Sequence, residues 1–130
     1  MTNVRTSGLT IGTGCTNYNS VSITVAESGT IVVNANVFVS LNHVSGTKDY
    51  ATFHVGTAAG QCSAANNMQR VAMVSASAPT DVYDSSVSVE QFFSVSAGTH
   101  TFFLNAKMSN GQDNQDKIEQ GNLRLSFYAA

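Results

Sequence analysis

Apolar and polar residues alternate with period two along every long apolar stretch of this chain. From Thr30 to His43 the odd positions carry Ile31, Val33, Ala35, Val37, Val39 and Leu41, and the even ones Thr30, Asn34, Asn36, Ser40 and Asn42. That is the signature of a strand buried on one face. Val32 and Phe38 break the polar side of the pattern, and Phe92, Phe103 and Tyr128 break it on other stretches. Surplus apolar groups on a second face point to a surface that a partner covers.

The same reading places the remaining elements. Leu9 and Ile11 predict a short first strand, and Val21, Ile23 and Val25 the apolar face of a second. Glu27-Ser28-Gly29 predicts a turn that makes a hairpin with the strand at 30–43. Beyond Ser45-Gly46-Thr47, residues Ala51, Phe53 and Val55 oppose Tyr50, Thr52 and His54, which predicts a second hairpin. Residues 56–68 have no period and read as a long loop with one helical turn around Ala64 to Met68. A strand from Gln69 to Ser77 stops before Pro79, and residues 79–85 connect. Val87, Val89, Phe93 and Val95, the turn Ala97-Gly98-Thr99, and the returning His100, Phe102, Leu104, Ala106 and Met108 predict a third hairpin. Residues 109–120 form a polar loop opened by Asn110-Gly111, a pair suited to positive φ. Leu123, Leu125 and Phe127 mark the final strand, Gly121 to Tyr128. Seven to nine short strands without a helical period predict an all-β, two-sheet antiparallel sandwich, either jelly roll or immunoglobulin-like. The 130 residues fit a single domain, 1–130.

Composition narrows the classes of partner. Only 11% of residues are charged, so solubility rests on Ser, Thr, Asn and Gly. Six basic residues (Arg5, Lys48, Arg70, Lys107, Lys117, Arg124) stand scattered against eight acidic ones. No phosphate-tracking patch forms from them, which argues against nucleic acid. No apolar run approaches the roughly 20 residues that cross a bilayer, so membrane insertion is not expected. The segment MTNVRTSGLTIG lacks the features of a secretory signal, which leaves a mature chain, a truncated one, or export by another route. Cys15 and Cys62 both sit in Gly- and polar-rich stretches, away from apolar strand faces. They form either a disulfide or two unrelated reduced thiols.

The titratable residues supply no recognisable reaction centre. His43, His54 and His100 have no ligand or acid at metal-binding or catalytic spacing. His43 is expected to make a surface pair with Asp49, and His100 to be a hydrogen-bonded imidazole on the inward face. Asp113, Asp116 and Glu119 recur every third position, as do Asp81 and Asp84, yet DNQDKIEQG does not fit a calcium loop. No G-x-S-x-G elbow and no glycine-rich phosphate motif is present. Neither an enzyme nor a cofactor is expected.

Three segments, SGTIVVNANVFVSL at 28–41, FFSVSAGTHTFFLNAKM at 92–108 and GNLRLSFY at 121–128, together resemble the jelly-roll domain shared by C1q and tumour necrosis factor, in its bacterial or phage versions. The resemblance implies a ten-strand jelly roll that forms a homotrimer, with one sheet packed around the threefold axis. It puts Tyr50, His54, Phe92 and Tyr128 on the interface sheet, and Phe38 with Phe103 on the outer one. Three copies of His54 would then approach one another and weaken the assembly when protonated. The function implied is a non-enzymatic binding or structural module, extracellular or on a particle surface, that presents loops 56–68 and 109–120 to a protein or glycan. A competing reading is a carbohydrate-binding module or lectin of sandwich fold. Exposed Tyr18, Tyr50 and Tyr83 would serve it as stacking surfaces, although the chain has no tryptophan.

Overall fold

Period-two segments become nine strands in the computed structural model, which describes residues 1–62 and 70–130. They are β1 (Thr2–Arg5), β2 (Leu9–Thr10), β3 (Thr16–Val25), β4 (Gly29–His43), β5 (Asp49–Gly56), β6 (Arg70–Val74), β7 (Asp81–Val95), β8 (Gly98–Asn110) and β9 (Lys117–Ala129). No helix occurs among the described residues. The helical turn expected around Ala64 to Met68 lies outside them, as does Gln69.

Two antiparallel sheets stack face to face. One has the order β1-β9-β4-β7, with β2 also on β9, and the other β3-β8-β5-β6. Strands near the two ends of the sequence are thus neighbours, and each sheet mixes early with late strands. This is a jelly-roll sandwich, and it resolves the choice between jelly roll and immunoglobulin-like topology. The core lies between the sheets and holds the inward sets read from the sequence: Ile31, Val33, Val39 and Leu41 from β4, Phe53 from β5, Phe102 and Leu104 from β8, Leu123 from β9.

The hairpin expectations do not hold. β3 pairs with β8, and β4 with β7 and β9, so the turns after Val25, His43 and Val95 each cross from one sheet to the other. Alternation says which face of a strand is buried; it does not say which strand lies beside it. The 15 residue pairs of β4 with β7 outweigh any local pairing. Several boundaries also move. β7 already begins at Asp81 inside the expected connector, and β8 and β9 shorten the polar loop to 111–116. Gly111 takes a φ of 71°, as its position after Asn110 suggested.

β1 was not legible, because TNVR is too short and polar to show a period. It is held in register on β9 and tied to the other sheet by Asn3, whose Nδ2 donates to Asn19 Oδ1 at 2.6 Å. A bulge in β3 between Asn17 and Asn19 makes Tyr18 the extra residue. Tyr18 is only 1% exposed, contrary to the expected stacking surface. Its hydroxyl lies 3.0 Å from the carbonyl oxygens of Arg5 and Ser7, to which it donates, and Arg5 stacks on its ring. Burial raises the phenol's pKa, and the Arg5 charge opposes the rise.

Candidate interaction face

The outer face of the β1-β9-β4-β7 sheet can be read row by row from its register. Tyr128, Thr30 and Ser94 form one row, and Ser126, Val32 and Phe92 the next. Arg124, Asn34 and Glu90 follow, then Asn122, Asn36 and Ser88, then Gln120, Phe38 and Ser86, then Lys117, Ser40 and Asp84. Val4 of β1 stands beside Asn122, and Val82 beside Asn42.

Apolar side chains stand at both ends of this face, Val32, Phe92 and Tyr128 at one and Phe38 and Val82 at the other, with Val4 at the β1 edge of the row between. Of the large apolar groups exposed among the described residues, Val4, Phe38, Val82, Phe92 and Tyr128 lie here, against Val71 and Met73 on the outer face of the other sheet. Phe92 is 56% and Tyr128 61% exposed. Between the two ends, Ser88 donates to Asn36 Oδ1 at 2.6 Å. A shallow groove of about 410 Å³ runs between Val4, Phe38, Ser86, Gln120 and Asn122.

The charges in these rows are sorted by strand, apart from Glu119, the extra residue of the β9 bulge. Lys117 and Arg124 belong to β9, Asp84 and Glu90 to β7, and a neutral β4 residue separates the members of each row. Among the described residues Arg124 and Glu90 have no ion pair, and Lys117 has a loose one with Glu119 at 3.9 Å. The sequence reading passed over this pattern, although Arg124 and Glu90 are each the only charge within an apolar strand segment.

The outer face of the other sheet is closed over His54 and Asn105, while Val71 and Met73 stay exposed at its β6 edge. Cys15 and Cys62 form a disulfide with a Cα–Cα distance of 5.8 Å, which ties residues 57–62 to the start of β3. Buried Asn105 holds the same segment by donating to the carbonyls of Ala58 and Gln61, both at 2.9 Å. Gly56 lets the segment fold back, since a Cβ there would collide with the side chain of Gln61. Hydroxyl pairs Ser22–Thr101, Thr24–Thr99 and Thr52–Ser109 continue the polar surface.

Two expected interface residues therefore change place. Tyr50 and His54 lie on β5, in the sheet opposite to Phe92 and Tyr128. Tyr50 is half-buried under Lys48, and His54 is 1% exposed. Buried in this way, copies of His54 cannot meet one another. Phe38 and Phe103 are separated too: Phe38 shares the open face, while Phe103 is half-buried between Ser20 and Gly56 on the closed one. Among the described residues neither ring nitrogen of His54 reaches a hydrogen-bond partner in good geometry, and the Gln61 backbone approaches it. Burial lowers the imidazole pKa, and the Gln61 backbone opposes the shift.

At one end of the sandwich His43 is buried instead of lying at the surface. Its Nδ1 is 3.0 Å from Asp49 Oδ2 and its Nε2 3.2 Å from the Ala78 carbonyl. Buried Asp116 accepts from the backbone N–H groups of Asn42 at 2.8 Å and Asp113 at 2.7 Å. Burial raises its pKa, those two N–H groups lower it, and the charges of Asp49 and Asp113 add to the rise. Its carboxylate thus ties down the 111–116 loop. Among the described residues no three His, Cys, Asp or Glu side chains are placed to hold a metal ion. His100 donates from Nε2 to the Ser96 carbonyl at 2.8 Å, half-exposed at the core's rim. No protein-family model matches this chain, and no curated protein matches it significantly.

Proposed function

We propose that this chain is a non-enzymatic module of the C1q and tumour necrosis factor type, which assembles as a homotrimer through the outer face of the β1-β9-β4-β7 sheet. It acts as a binding or structural unit outside a cell or on a particle surface, and offers the loops at its ends for recognition. The observation that carries this reading is the gathering of Val4, Phe38, Val82, Phe92 and Tyr128 on one sheet face. Exposed apolar groups scattered singly need no explanation, whereas five on one face form a surface fit for burial against another protein. A second copy is the occupant the chemistry favours, because the face carries both charge signs in separate columns and so complements itself.

Sedimentation equilibrium tests the reading. The expected mass is that of three chains, and a mass of 13.7 kDa at tens of micromolar would overturn it. The carbohydrate-binding alternative draws on the amides of Asn36, Gln120 and Asn122 around the groove. It loses Tyr18 as a stacking platform, since that ring is buried. Glycan-array binding by a single-chain species would favour it over the trimer.

A further inference from the structure

The acidic and basic columns of the open face stand at matched heights. Glu90 and Arg124 flank Asn34, and Asp84 and Lys117 flank Ser40. Lys117 and Arg124 are seven positions apart, yet both pairs are anchored to β4 positions six apart, because the bulge after Phe38 absorbs the extra residue. The rows lie about 20 Å apart along the strands. Within each row the backbones that carry the opposite charges are about 10 Å apart, two strand spacings, and neither Glu90 with Arg124 nor Asp84 with Lys117 makes an ion pair within the chain.

On the reading that this face packs against copies of the same chain, we propose that Glu90 and Asp84 of one copy pair with Arg124 and Lys117 of the next, so that the β7 side of each subunit meets the β9 side of its neighbour. Symmetry makes the argument. Rotation about an axis parallel to the strands leaves every row at its own height, so an acid column that meets a base column matches in both rows at once. A twofold axis across the strands would set Arg124 on Lys117 and Glu90 on Asp84, and like charges in contact oppose association. The polarity therefore rejects that face-to-face pair, and on the trimer reading the axis parallel to the strands is the threefold of a head-to-tail ring. Glu119, 3.9 Å from Lys117, offsets part of the lower row, which makes Glu90 with Arg124 the stronger contact.

Charge reversal in two steps tests this. Asp84→Lys/Glu90→Lys makes both columns basic and Lys117→Glu/Arg124→Glu makes both acidic. Each is expected to drop the sedimenting mass from three chains to one, with thermal unfolding confirming that the chain stays folded. The quadruple variant, which exchanges the columns, is expected to return to three chains. A Glu90→Cys/Arg124→Cys variant is expected to form covalent trimers on mild oxidation, and it decides the matter should the quadruple variant not fold. Wild type in one-chain form overturns the trimer reading and this inference together. A wild-type trimer whose charge-reversed variants keep full mass, or whose cysteine variant does not cross-link, overturns this inference alone.

Discussion

The two outer faces of this sandwich are built from strands of the same alternating type and reach opposite ends. On the β3-β8-β5-β6 side, a disulfide and the side-chain amide of Asn105 draw residues 57–62 over the sheet, and His54 is sealed beneath. On the β1-β9-β4-β7 side Phe92 and Tyr128 stay more than half exposed among the described residues. One face solves its burial within the chain through a covalent tether and hydrogen bonds. The other keeps apolar groups and the charges of Arg124 and Glu90 in the open, which suits the assembly proposed for it. The difference shows that an outward-facing aromatic is informative only together with what the chain lays across it.

The sharpest way to break this comparison is to remove the rings from the open face. Phe92→Ser with Tyr128→Ser is expected to abolish assembly, since burial of each ring is worth about 1.5–3 kcal/mol at each contact. Because both rings are exposed in the single chain, its own thermal stability should stay within about 0.5 kcal/mol per substitution. Val71→Ser with Met73→Ser on the opposite sheet should leave the mass unchanged. Equal mass for both double variants in sedimentation would erase the distinction between the faces.

The closed face responds to a different attack. Reduction of Cys15–Cys62, which closes a 47-residue separation, is expected to cost about 4 kcal/mol in denaturant unfolding. Mass should not change, as the tether lies on the side away from the sheet proposed to assemble. Dissociation on reduction would mean that the two faces are coupled.

The smallest effect concerns His54. Its folded pKa lies below the ordinary value of 6.5 because the ring is buried. Above that value both folded and unfolded chains keep it neutral, and nothing is lost. As pH falls below 6.5 the unfolded chain takes up a proton that the folded chain refuses, so stability declines until the folded pKa is reached and then levels off. The slope is at most about 1.4 kcal/mol per pH unit. Unfolding midpoints measured from pH 7.5 to 5, beside a His54→Leu variant, isolate this contribution. A variant with the same slope as wild type would assign the effect to another group.

The sandwich itself was readable at the level of faces. Ile31, Val33, Ala35, Val37, Val39, Leu41, Phe53, Phe102, Leu104, Leu123 and Leu125 all point into the core that their alternation predicted. The turn at Gly111 and the proximity of His43 to Asp49 were readable as well, because both depend on neighbours in sequence. What misled was everything that depended on distant partners. Tyr18 read as exposed, but a bulge and the carbonyls of Arg5 and Ser7 draw it inside. Tyr50 and His54 read as companions of Phe92, but their strand joins the opposite sheet.

Local alternation settles how each strand is divided between a buried and an outward side, because side-chain direction follows from the pleat of the strand alone. It leaves the neighbour of each strand undecided, since backbone N–H and C=O groups are the same along every strand and pair with whichever partner packing brings beside them. Only the assembled fold matched β4 to β7 and β9, lined up Arg124 with Glu90 across Asn34, and laid residues 57–62 over His54. The open face exists because of those long-range choices, and so does the charge pattern on it.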